Sequence, residues 1–63
     1  MINLDEINPI VKYLALAMMA DSDEEEGENL EMAMLWGEDL PMDILKQYER
    51  EAKKIAITIM EGN

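Results

Sequence analysis

Ten carboxylates and no base fall between Asp21 and Asp43: Asp21, Asp23, Glu24, Glu25, Glu26, Glu28, Glu31, Glu38, Asp39 and Asp43. Side chains of this type at this density can hold a divalent cation, share acid–base work, or present negative charge to a partner. The first use is tested by register. An EF-hand calcium loop needs oxygen ligands at positions 1, 3, 5 and 12 and glycine at position 6. Counted from Asp21, the sixth residue is Glu26 and the twelfth is Met32; counted from Ser22, Gly27 falls sixth but Ser22 and Ala33 take the end positions. Both registers fail, and no metal site is expected. The second use needs neighbouring carboxyl groups whose environments separate their pKa values. The chain has no histidine, no cysteine and no Gly-rich phosphate loop, and its one serine and one threonine are Ser22 and Thr58. Ser22 is better placed as a helix cap and Thr58 lies within a helix, so neither catalysis nor a cofactor is expected.

The third use remains. The formal net charge is −10, and charge of this size bears on partners and solubility, not on fold. Direct nucleic-acid binding needs clustered Lys and Arg, and an anionic membrane surface attracts the same residues, so both are excluded as partners. A protein with a basic surface is the partner expected. The residues predicted to meet it are Asp21, Asp23, Glu24, Glu25, Glu26, Glu28, Glu31, Glu38 and Asp39. Trp36 joins them as an aromatic anchor ringed by charge, a residue type enriched at interface hot spots; a structural, partly buried Trp is the equal alternative. Held on ordered structure, such an array resembles a row of phosphates to a protein that binds nucleic acid. The plain alternative is a solvated face that only keeps the chain soluble.

The elements that must position these charges are helices. Asn8-Pro9 reads as an N-cap followed by proline at the first helical position, opening a helix over 9–20. Ser22 and Glu25 have capping-box spacing, and acids in a first turn suit the helix dipole; this helix runs over 23–36 and stops at Gly37, read as a C′ glycine. Gly27 inside it is a weak point. A third helix spans 41–61, where Leu45, Tyr48, Ala52, Ile55 and Ile59 recur at alternating spacings of three and four. Ile44, Ala56 and Met60 widen that stripe into a core face. Glu49 and Lys53 have favourable i,i+4 spacing, and four of the five bases lie on this helix. Residues Met1 to Ile7 read as a short arm or a ragged extra turn. The fold class is all-α: one small three-helix domain over residues 1–63.

Size then points to self-association. A chain of 63 residues sits where one hydrophobic core is marginal and where disulfides, metals or partner chains usually help. Without cysteine or histidine, a partner chain is the stabiliser left. The first helix is apolar almost all round, from Ile10 to Met19, and two short helices are expected to leave it partly uncovered. A homodimer built on the first and third helices follows. Core filling is the expected role of Met18, Met19, Met32, Met34, Met42 and Met60, although methionine also serves adaptable binding surfaces. The longest apolar run, Ile10 to Ala20 with Lys12 inside it, is about half of the roughly 20 residues a membrane span needs. Asp5 and Glu6 stand where a secretory signal would carry positive charge. Together with the absence of cysteine this fits a cytoplasmic protein.

In size and charge the chain is similar to small acidic inhibitors made by phages and mobile elements, some of which act as DNA mimics. The similarity is carried by size and charge alone, with no shared motif. The function expected is that of an acidic protein-interaction module, an inhibitor or regulator that occupies the basic, nucleic-acid-binding surface of a partner. The alternative is a structural or assembly adaptor that binds through apolar helix faces.

Overall fold

The computed structural model describes residues 3–62. Three α-helices, α1 (Pro9–Met18), α2 (Asp23–Trp36) and α3 (Met42–Glu61), follow a single 3-10 turn at Leu4–Glu6. No strand occurs among the described residues. The opening segment is therefore the ragged turn; Met1 and Ile2 lie outside the described residues. Lys12 holds this turn to α1, with its Nζ 3.2 Å from Asp5 Oδ1 and 5.4 Å from the centre of the Tyr13 ring.

The caps form where the residue types demand them. The Ile10 N–H donates to Asn8 Oδ1 at 2.8 Å, and the Glu25 N–H donates to Ser22 Oγ at 3.2 Å. Each satisfies an amide that the helix geometry leaves without an internal partner. α3 opens at Pro41 with no side-chain cap. α1 ends at Met18, ahead of the expected Ala20, because the Ala20 N–H turns back to the Ala17 carbonyl at 3.3 Å in a tighter 3-10 bond.

α1 is the central element. α2 and α3 each pack on it, and their backbones stay apart from each other. On the α3 side Val11 and Ala15 meet Ala52, with Leu14, Met19, Tyr48 and Ile55 packed around them. On the α2 side Ile10 abuts the end of the helix at Gly37. The buried set is Ile10, Val11, Ala15, Ala17, Ala33, Ala52 and Ala56, and no large side chain is fully buried. Alanine lets helices approach closely but buries little area. At roughly 25 cal/mol per Å² of apolar surface, such a core is thin.

α1 is only partly covered: Met18 is exposed, at 41%, and Tyr13, Leu14 and Leu16 are half-buried. More exposed apolar groups lie on its two neighbours. With 10, 14 and 20 residues, the three helices are about 15, 21 and 30 Å long. The shortest is the central one, so α3 extends past it, whereas α2 ends beside Ile10 at the start of α1 and exposes Met34, Leu35 and Trp36 outward. Ile57 and Met60 of α3 are exposed, and Met60 does not join the core stripe as its spacing predicted. The methionines are corrected too: Met18, Met32, Met34, Met42 and Met60 are all exposed, and Met19 alone packs against the core.

Gly37 is a second correction. It caps α2 with φ −102° and ψ 13°, which any residue can adopt. Its smallness is what matters. A Cβ there would lie 2.9 Å from Leu45 Cδ2 and 3.3 Å from the Ala33 carbonyl oxygen, so glycine is what allows the starts of α1 and α3 to meet the end of α2. Glu49 and Lys53 do not close to ion-pair distance; Lys12–Asp5 is the only ion pair among the described residues. No helix among those residues is long and apolar enough to cross a membrane.

Candidate functional site

The acids predicted to meet a partner all stand in solvent. Asp21, Asp23, Glu24, Glu25, Glu26, Glu28, Glu31, Glu38 and Asp39 are exposed, as is Asp43. They are not scattered evenly. Glu24, Glu28, Glu31 and Leu35 follow the spacing of four, three and four that places residues on one face of a helix, and Ala33 marks the opposite, buried side of α2. The outward face is thus a ridge of three glutamates ending in a leucine. Met34 and Glu38 flank it on one side, Met32 and Trp36 on the other.

The charge is segregated by element. α3 carries four acids and four bases and is neutral overall, whereas α2 carries six acids and no base. Nearly all of the net charge therefore sits on α2 and the turns at its two ends. Lys46, Arg50 and Lys53 of α3 line a separate hollow beside Met18. No charged or polar side chain is buried among the described residues, and no three potential ligands converge there on a metal position. The carboxylates of this face are solvated.

Beyond Trp36, sequence reasoning assigned the methionines of this surface to the core and did not single out Leu35. Met34, Leu35, Trp36 and Met42 are 70%, 67%, 58% and 68% exposed, so the Trp36 ring is part of the open surface and not of the core. Glu28, Glu31, Met32, Met34, Leu35 and Glu38 line one shallow hollow together, mixing acids with large apolar groups. The signal was present: α2 lacks the one-sided apolar periodicity of a helix that buries a face, so its Leu and Met residues had to point several ways.

Compared with known proteins, the chain matches no family model, no curated protein and no solved structure.

Proposed function

We propose that this protein is an acidic interaction module, an inhibitor or regulator that uses α2 to occupy a basic, nucleic-acid-binding surface of a partner protein. The observation that carries the reading is the segregation of charge. Nine exposed acids from Asp21 to Asp39 face solvent with no base among them, on and beside a helix whose opposite side is anchored to α1. A fixed field of one sign steers a basic partner to one face and speeds its association in a salt-dependent way. Competition with nucleic acid would then be steric and electrostatic, and no chemistry is required of the module. Homodimer formation belongs to the same proposal. The exposed Ile57 and Met60 of the α3 overhang support a second copy as their cover.

A second reading has its own observation. Met34, Leu35, Trp36 and Met42 are each more than half exposed, which favours an assembly adaptor held by apolar contacts. One experiment separates the two. The partner is captured from host extract, and association rates are then measured against ionic strength for the native chain and for Glu24→Gln, Glu25→Gln, Glu28→Gln and Glu31→Gln combined. A slower, less salt-sensitive association supports the acidic module. Overlaid curves from a folded variant assign the contact to the apolar groups.

A further inference from the structure

We propose that the trough between α2 and α3 is a docking groove for a basic amphipathic helix supplied by the partner; this deepens the acidic-module reading and rests on it. The backbones of α2 and α3 stay apart along most of their length and approach where Leu45 reaches Gly37 at the end of α2; beside that contact α1 forms the floor of a shallow channel. Ile10 and Leu14 lie on that floor, Ala33 and Met34 on the α2 wall, Met42 and Leu45 on the α3 wall. A channel between two helices lying on a third accepts the side-chain ridge of another helix. Its lips are Met34 and Met42, among the most exposed apolar residues of the chain, and methionine is the side chain best able to adapt to an incoming surface.

Charge selects the occupant. Glu38 and Glu49 also line the channel, one from each side, and no Lys or Arg does. The bases of α3 line other hollows: Lys46, Arg50 and Lys53 line the one beside Met18, on the far side of Glu49, which borders both, and Lys54 lines another beside Ile7. A second copy fits poorly. It would add another net charge of −10, and its only base-rich helix, α3, already has its apolar face packed on α1. A helix with one apolar stripe flanked by Lys and Arg meets both the floor and the rims.

The probe is a synthetic Leu–Lys peptide of about 14 residues, about 21 Å as a helix, with leucines at helical spacing. Two control peptides accompany it, one with the same residues in an order that breaks the stripe and one with Glu in place of Lys. Affinity is read by fluorescence anisotropy, and position by amide chemical-shift changes in the full chain. The Leu–Lys helix is expected to bind and to shift Ile10, Leu14, Ala33 and Leu45, with both controls weaker by about tenfold or more. Met34→Gln with Met42→Gln, at exposed positions and with a good helix former, should keep the circular dichroism spectrum and weaken binding by about tenfold or more. Should that pair disturb the fold, Glu38→Gln with Glu49→Gln tests the rims instead, and is expected to weaken the Leu–Lys peptide and flatten its salt dependence.

The proposal is overturned by absence of binding, by a broken-stripe or Leu–Glu peptide that binds equally well, or by a folded methionine variant that binds like the native chain. Shifts confined to the first turns of α2 also overturn it, while leaving the acidic-module reading standing. That reading fails separately, if the glutamine substitutions at Glu24, Glu25, Glu28 and Glu31, all outside the channel, leave association with the captured partner unchanged.

Discussion

Replacing Gly27 and Gly37 in turn by alanine applies one substitution inside α2 and at its C-terminal cap and should give shifts of opposite sign. Gly27 lies in the second turn of α2, and nothing stands within 4 Å of an added Cβ. Alanine there gains helix propensity, about 0.4–1 kcal/mol, mostly by narrowing the unfolded ensemble. For a chain of 63 residues the unfolding entropy is about 130 cal/mol/K near the melting temperature, so a gain of about 0.8 kcal/mol raises Tm by about 6 °C. At Gly37 the same Cβ meets Leu45 Cδ2 at 2.9 Å, the Ala33 carbonyl oxygen at 3.3 Å and Ile10 Cδ1 at 3.5 Å. The leucine methyl can swing away. The carbonyl cannot, since it accepts the Gly37 N–H at 2.9 Å and belongs to the helix. Overpacking typically costs about 1–3 kcal/mol. A net loss of about 1 kcal/mol lowers Tm by about 8 °C. The assay is thermal unfolding by circular dichroism at one fixed protein concentration, because self-association would make Tm concentration-dependent. An unchanged or lower Tm for Gly27→Ala would refute the reasoning, because it would mean that the first turns of α2 melt outside the cooperative unit. A rise for both variants would refute the close approach at Gly37.

Ala52→Leu should destabilise the chain by about 1–3 kcal/mol or prevent folding, since the side chain is wholly buried where α3 crosses α1; urea unfolding reads the loss. The glutamine substitutions at Glu24, Glu25, Glu28 and Glu31 should leave Tm within a few degrees of the native value. They relieve like-charge pairs at i,i+3 and i,i+4, worth a few tenths of a kcal/mol each, and give up a comparable dipole interaction in the first turn. A large drop in Tm would show that these acids stabilise the fold. Self-association is checked by light scattering and by Tm across a concentration series. A monomer at every concentration, with constant Tm, counts against the homodimer.

Caps and spacing made the elements legible. Asn8-Pro9, Ser22 with its acids, and the alternating three-and-four spacing of α3 each act within one turn of backbone, so they can be read without knowing what packs where. The placement of the acids on α2 was legible for the same reason, because a helix fixes which residues share a face. Packing was not. α1 is apolar on every side, so it offered no sign that α2 and α3 would take two of its faces and leave a channel between them. The tertiary structure decided that alanines, not methionines, would fill the contacts. Ala15 and Ala52 are wholly buried where α1 and α3 cross, and of Met18, Met19, Met32, Met34, Met42 and Met60 all but Met19 stand exposed. It also decided why residue 37 is glycine, through the approach of Leu45 and Ile10 from two other helices, which no local pattern encodes. The exposed apolar surface has two origins: Ile57 and Met60 lie on α3, which is longer than the helix it packs on, whereas Met34, Leu35 and Trp36 point outward because α2 has no one-sided apolar face.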